Sequence, residues 1–387
     1  MSRTAATVLR SVLEHGPVAR STLARLTGLS AATVTKQYAE LAGRGLVREV
    51  ETRVPRVTIG RPHVPVDIDV DRHVVCGVHI AYGHTTLALV DLRGRVLAEE
   101  REPHHRPGPA AALRRIAERV PAFLRRHDRV PIGVGVATGG RVDGGTIVEH
   151  SQLGWKDVRA EEFLTTALDT AVQVESHSRA LARAEQLFGA DPRARTSLVH
   201  LFVGNVVDAA IVTGGAVHSG PGGAAGGIAH LRLRDDDTPC PCGRRGCLEA
   251  ATSNRTLAER AARLGIIAEP LLDPLIEAGR RGDPRAVELF RRRSRLVGQA
   301  ARLLLDVINP DVLVVVEAGA ILIPGCWEEL TSEIGERAPD VIQTSFGEDV
   351  LSIAAGSVVL SEIYGGKTYF SREENRHDKT LNCSLDA

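Results

Sequence analysis

The sequence predicts an α/β protein: a short, mainly α-helical head of winged helix-turn-helix type, followed by a larger body of strands and helices stabilised by a metal. Three observations predict this. Residues 4–43 hold three apolar-periodic segments separated by Gly16-Pro17 and Gly28. From Val74 onward, β-rich runs alternate with amphipathic helices. One imidazole and three thiols, those of His230, Cys240, Cys242 and Cys247, crowd into the stretch GGIAHLRLRDDDTPCPCGRRGCLEA at 226–250.

Composition narrows the class. A chain of 387 residues is long enough for two or three domains. Its formal charge is zero, yet residues 1–61 carry ten Arg/Lys against four Glu, a net of +6 that the remainder cancels. A basic head on an acidic body points to nucleic acid at the head. No apolar run reaches the roughly 18 residues of a membrane span, and no signal segment opens the chain, so a soluble, cytoplasmic protein is expected. Of six cysteines, three cluster as ligands, which suits a reducing compartment and leaves Cys76, Cys326 and Cys383 as free thiols. Aromatic residues are scarce, so Leu, Val, Ile and Ala must fill the core.

In the head, residues 4–14 place Ala5, Val8, Leu9 and Val12 on one helical face, and Gly16-Pro17 ends that helix. A second helix is expected over 21–27 with Ser21 as its N-cap. Gly28 makes the turn, and Ser30 opens a third helix reaching Ala42 or Gly43, held down by Leu29, Val34 and Leu41. Two helices joined by a short Gly turn are the helix-turn-helix signature. The outward face of the third is Ser30, Ala31, Ala32, Thr33, Thr35 and Lys36. The string Leu-Ser-Ala-Ala-Thr-Val-Thr-Lys resembles bacterial repressor recognition helices. That likeness gives Ser30, Thr33 and Thr35 phosphate contacts and sets Ala31, Ala32 and Lys36 in the major groove. Alanines donate no hydrogen bonds, so base reading rests on Lys36, thymine methyls and DNA shape. After Gly45, apolar and polar residues alternate around Pro55 and Gly60, which reads as a wing with Arg53 and Arg56 near its tip.

In the body, residues 73–100 read as a three-stranded meander, with Glu99 beginning the turn to Pro103. Helices are expected over 110–126, 178–188, 255–265, 284–308, 326–338 and 356–364, with strands at 132–137, 197–203 and 312–316. The cysteine stretch is turn chemistry, Pro-Cys-Pro-Cys-Gly, rather than core packing. Gly243 and Gly246 let three thiolates converge, and Cys₃His is a normal closed, structural Zn²⁺ set. The alternative is three buried or disulfide-bonded cysteines beside an unrelated histidine.

This stretch resembles the zinc signature of the ROK family, whose members are repressors and sugar kinases. The family pattern is G-E-I-G-H, then C-x-C-G-x-x-G-C-x-E; here the first part reads Gly226-Gly227-Ile228-Ala229-His230 and the second runs from Cys240 to Glu249. The resemblance implies a two-lobed, actin-like ATPase body. It also implies that His230 both ligates zinc and touches a sugar hydroxyl, and that Glu249 binds the sugar.

Measured against that family, each catalytic motif is altered. Asp-x-Gly-Gly-Thr of the first phosphate loop is matched by the stretch from His79 to Thr85, with His79 in the acidic position. Gly-Thr-Gly-x-Gly is Gly204-Asn205-Val206-Val207-Asp208, where Cβ atoms and a carboxylate oppose phosphate. Gly-Gly-Gly is Glu317-Ala318-Gly319, and Glu-Asn-Asp-Ala-Asn, with the catalytic Asp, is Glu175-Ser176-His177-Ser178-Arg179. Without a phosphate cradle a base at His177 has nothing to direct, so no enzyme activity and no ATP are expected.

A sugar pocket is still expected, formed by Gly139, Gly140, Ser176, His177, Arg179, Gly227, His230 and Glu249. Exchanging acids for His177 and Arg179 makes it more cationic, which favours an acidic or phosphorylated sugar over the two other readings, an ordinary sugar held weakly and no ligand at all. The expected domains are a head at 1–66 and a first lobe at 67–182 completed by 357–370. A second lobe at 183–356 carries the zinc and the oligomerisation surface, and 371–387 form a polar tail. The reading is a transcriptional regulator of carbohydrate genes, a repressor binding a double-stranded DNA operator as a homodimer or homotetramer and answering to a sugar or sugar derivative. Two alternatives stand beside it: a ROK sugar kinase, and a regulator governed by a protein partner with a relic pocket.

Overall fold

A computed structural model of the chain describes residues 1–50, 64–234 and 236–367. In the head, α1 (Arg3–His15) starts where the Ser2 hydroxyl accepts the Ala5 N–H (3.1 Å), and it buries Ala5, Val8, Leu9 and Val12. Helix α2 (Arg20–Thr27) begins one residue before the expected cap: Ala19 is the N-cap and Ser21 lies inside the first turn. The reason is a two-residue bridge between Val18 and Val66 that keeps the chain extended up to Ala19. Gly28, at φ 68°, ends α2 in the left-handed region that favours glycine. Helix α3 (Ala31–Gly43) is capped by Ser30, whose Oγ accepts the Thr33 N–H (3.1 Å), and Val34 and Leu41 face inward as expected. Leu29 is only half-buried. Strand β1 (Val47–Glu49) pairs antiparallel with β2 (Val66–Ile68). Arg53 and Arg56 of the expected wing tip, and the tail at 371–387 with Cys383, lie outside the described residues.

The body opens with a meander of β3 (His73–Ile80), β4 (His84–Asp91) and β5 (Val96–Pro103). The turn expected at Glu99 does not occur, because β5 stays paired with β4 until Pro103 meets His84. Helix α4 (Pro109–Leu124) and β6 (Val130–Thr138) follow, then a small sheet of β7 (Arg141–Asp143), β8 (Thr146–His150) and β9 (Trp155–Val158). Next come α5 (Ala160–Leu168), β10 (Val172–Ser176), α6 (His177–Phe188), β11 (Ser197–Val203), β12 (Val207–Thr213) and β13 (Ala216–His218). Beyond the cysteine loop lie α7 (Leu248–Thr252), α8 (Asn254–Arg263), α9 (Leu272–Arg280), α10 (Pro284–Ile308), β14 (Val312–Glu317) and α11 (Ala318–Leu322). The chain closes with α12 (Cys326–Ile334), β15 (Val341–Gln343) and α13 (Val350–Tyr364). Helix α12 is shorter than expected because Gly335 takes φ 75°.

The chain forms two compact units, one of residues 1–137, 159–175 and 352 onward, the other of 138–158 and 176–351. This departs from the expected boundary at 182/183: the head groups with the first lobe, and β7–β9 group with the second. In the first unit the sheet order is β10-β6-β3-β4-β5. Helix α13 lies close on it because Gly77 and Gly135 have no side chain; a Cβ on Gly135 would stand 2.1 Å from the Ala355 carbonyl. In the second unit the order is β13-β12-β11-β14-β15. Alternation along β11 sends Val199, Leu201 and Val203 to the core under α7 and α10, and Leu198 to the core with Ala182 of α6. The intervening His200 and Phe202 share that α6 face by the same two-residue period. Buried free thiols occur at Cys76 and Cys326. No helix among the described residues is long and apolar enough to cross a membrane.

Candidate ligand pocket, metal centre and DNA-reading helix

Of the residues expected in the pocket, Gly139 and His177 lie together at the start of α6, within the second unit. His177, its first residue, is buried, with its ring 4.3 Å from that of Phe202 and its Nε2 3.3 Å from Asp208 Oδ1. Gly139 lets two histidines converge: a Cβ there would stand 3.2 Å from His150 Nε2 and 3.5 Å from His177 Cε1. Gly140, at φ 82°, would place a Cβ 2.2 Å from the Glu149 carbonyl, so only glycine fits. His150 is buried on β8, and its Nδ1 accepts the Leu153 N–H (3.4 Å). Burial, helped by the neighbouring His177, lowers the His150 pKa to about 4. Burial likewise lowers that of His200 to about 3.

Glu249 enters from α7, where its Oε2 accepts the N–H of Val207 (3.1 Å), the residue before Asp208. Burial raises its pKa, and the Asp208 charge adds to the rise. Among the other expected pocket residues, Ser176 is buried at the N-cap of α6, while Gly227 and His230 are exposed. Arg179 is occupied elsewhere. It is 3% exposed, and its guanidinium donates to the carbonyls of Gly223 (3.0 Å) and Val142, tying the β7 hairpin to the unit. The cation expected to face a ligand is therefore spent on backbone. Sequence reasoning passed over His150 entirely and read Asp208 only as an obstacle to phosphate.

Two of the altered motifs are engaged internally. Residues 204–206 make a tight turn in which Gly204 N–H donates to the Val206 carbonyl (3.0 Å). Glu317 is fully buried and caps α11, accepting from Gly319 (2.7 Å) and Ala320 (2.6 Å) N–H groups. It also pairs with Arg293 Nε (2.8 Å) and accepts from Ser294 Oγ (3.1 Å). Arg293 donates onward to Asn254 Oδ1 (2.8 Å) and the Val203 carbonyl (3.3 Å).

In the cysteine loop, His230, Cys240, Cys242 and Cys247 bring one ligand atom each to within 4.8 Å of one another. His230 Nδ1 lies 3.6 Å from Cys240 Sγ, and Cys242 Sγ lies 3.7 Å from Cys247 Sγ. A tetrahedron with ordinary Zn–N and Zn–S bonds has edges of about 3.6 and 3.8 Å. The donor set and its spacing thus fit a tetrahedral ion of that size. The loop depends on Gly246, at φ 68°, where a Cβ would fall 2.3 Å from the Asp236 carbonyl. The thiols differ. Arg244 Nε, 3.4 Å from Cys242 Sγ, helps lower that pKa to about 6, whereas burial raises that of Cys247 to about 11. Cys247 is the N-cap of α7, so the metal loop sets the start of the helix that carries Glu249.

On α3, Ser30, Ala31, Ala32, Thr35 and Lys36 are exposed and Thr33 is half-buried. All three hydroxyls have local partners as well: Ser30 Oγ lies 2.8 Å from Thr33 Oγ1, and Thr35 Oγ1 donates to the Ala31 carbonyl (2.9 Å).

Comparison with known proteins shows the family. The ROK family model matches residues 75–352. The transcriptional regulator Rv0485 of Mycobacterium tuberculosis is 34% identical over 380 residues, covering 93% of this chain and 85% of its own. The N-acetylglucosamine repressor of Escherichia coli O157:H7 is 30% identical over 346 residues, covering 82% of each. Among solved structures, a ROK family transcriptional regulator, a homologue of the Escherichia coli MLC protein, superposes with a TM-score of 0.75 at 22% identity, covering 94% of this chain and 96% of its own. A ROK family glucokinase from Streptomyces griseus, in complex with glucose and AMPPNP, gives a TM-score of 0.65 at 23% identity over 74% of this chain and 98% of its own, which shows the fold alone. With its family domain matched over residues 75–352 and a regulator 34% identical over 93% of it, this chain belongs to the ROK family.

Proposed function

We propose that this chain is a cytoplasmic, DNA-binding transcriptional repressor of carbohydrate genes whose ROK body senses a sugar and does not phosphorylate it. One observation carries the reading: a three-helix head with an exposed α3 face stands on the same chain as a body whose kinase positions hold His177, Asp208 and Glu317. Phosphoryl transfer depends almost wholly on positioning and charge stabilisation, and a capped, ion-paired Glu317 offers neither to a nucleotide. The head is a winged helix-turn-helix, with Lys36 reading bases, Ser30 and Thr33 on phosphates, and Arg53 and Arg56 on the backbone or minor groove. Homodimers or homotetramers would present paired heads to two half-sites. A sugar releases the operator only by binding one state more tightly than the other.

Zn²⁺ is the ion that Cys240, Cys242, Cys247 and His230 would hold. With four protein ligands it serves structure, fixing the loop that precedes Glu249. The test of the DNA reading is an operator selected from random duplexes, then a gel shift of wild type against Lys36→Ala. A loss of about 1–3 kcal/mol in binding supports it. Equal affinity of the two proteins rejects the placement of α3 in the groove.

A further inference from the structure

We propose that the first unit carries a second small-molecule site, the cavity between α4 and strands β4 and β5, and that it takes an uncharged, mainly apolar molecule about the size of indole or benzyl alcohol. The site lies apart from the residues expected to hold a sugar, and it does not depend on that reading.

The cavity follows from the way α4 begins. Its first turn is Pro109-Ala110-Ala111-Ala112, and the large apolar side chains that seat the helix, Leu113, Ile116, Val120 and Phe123, come after it. Ala111 and Ala112 put only a methyl group each into the gap, and a cavity of about 180 Å³ remains between helix and strands. Its floor is apolar and buried: Leu87 of β4 with Ala112 and Ile116 of α4. Pro103 and Ala111, both exposed, stand at its mouth. A dry apolar cavity of about 150 Å³ admits benzene, so this one has room for a single ring with a short substituent.

The charges around the cavity satisfy one another. Glu102 Oε1 accepts from Arg115 Nε (3.0 Å) and Nη2 (2.7 Å), while its Oε2 accepts from Arg119 Nη1 (2.9 Å). Arg119 Nη2 donates to Glu100 Oε2 (2.8 Å), and Arg126 holds the other Glu100 oxygen. A charged ligand must either break these pairs or leave its own charge desolvated, and an uncharged ligand of the same shape does neither. The other polar side chains on the wall are Thr85 and His104. Burial holds the His104 pKa below its ordinary value, so the ring is neutral at pH 7. A hydroxyl and a neutral imidazole suit one hydroxyl or N–H on an otherwise apolar ligand.

The experiment is titration calorimetry on the full-length protein with indole, benzyl alcohol and benzoate, the last matching benzyl alcohol in size but carrying a charge. At least one of the two uncharged probes is expected to bind at one equivalent, with benzoate about tenfold weaker or more than the better of them. Ala112→Leu fills the floor, and Ala111→Phe blocks the mouth from an exposed helix position. Each should weaken binding about tenfold or more with circular dichroism unchanged. Should Ala112→Leu fail to fold, Ala111→Phe decides alone. Silence toward both uncharged probes overturns the proposal. So does benzoate that binds as tightly as the better of them, or Ala111→Phe that binds it like wild type.

Discussion

Arg93 reaches from the β4–β5 turn to the end of α1, where its guanidinium holds the Asp67 carboxylate and donates to the Leu13 carbonyl (3.3 Å). A cation at a helix C-terminus satisfies an orphan carbonyl and opposes the negative end of the helix dipole. The first lobe thus supplies the cap for a helix of the head. His73, fully buried on β3, adds a second tie by donating from Nε2 to the Arg44 carbonyl (2.8 Å).

Removal of this cap should loosen the head. Arg93→Ala is expected to cost about 1–2 kcal/mol and to speed amide exchange through α1, with β3 and β4 unaffected. Hydrogen exchange with mass spectrometry reads both regions in one experiment, and unchanged α1 exchange would refute the clamp.

The Arg293–Glu317 pair gives a larger effect because both side chains are buried, at 1% and 0% exposure. Arg293→Ala should cost about 3–5 kcal/mol in urea denaturation by leaving a buried carboxylate without its partner. The double variant Arg293→Met/Glu317→Leu should recover part of that loss, though not the two N–H groups that Glu317 caps.

Acid should destabilise the second unit through its neutral histidines. An unfolded histidine titrates near 6.5, whereas His150 and His200 titrate at about 4 and about 3 in the fold. Between those limits the unfolded chain binds more protons, so stability is complete above about pH 6.5 and falls as pH drops toward 4. From pH 7 to pH 5 each group forfeits about 2 kcal/mol by this linkage. Urea melts across that range should show a flatter profile for His200→Leu, and an identical slope would remove His200 from the account.

Much of this was legible in the sequence because its signals are local. The helices of the head, the strand at 197–203 and the helix at 284–308 follow from apolar period and from Gly or Pro punctuation. The Cys₃His set was legible for the same reason, since its three thiols lie within eight residues. What escaped depends on distant pairing. The Val18–Val66 bridge moved the start of α2 away from Ser21. The carbonyls of Val142 and Gly223 that claim Arg179 lie 37 and 44 residues away, and nothing local announces them. The same holds for His150, which is brought beside His177 only when the β8 strand packs in the second unit.

Metal removal should act on the body. Chelation, or Cys242→Ser, is expected to abolish one equivalent of bound zinc and to lower the melting temperature by about 5 °C or more. Because Cys247 caps the helix that carries Glu249, sugar binding should weaken in parallel. Zinc analysis beside a thermal melt decides this, and a chelated protein with unchanged melting would exclude a structural ion.

The central claim, a sugar-controlled DNA-binding protein without catalysis, is tested most directly by fluorescence anisotropy on the selected operator, titrated with the sugars that bind the body. The account predicts tight operator binding that at least one of these sugars weakens about tenfold or more, with no ADP formed when Mg-ATP is added. Operator affinity indifferent to every bound sugar, or ADP release that depends on one, would contradict it.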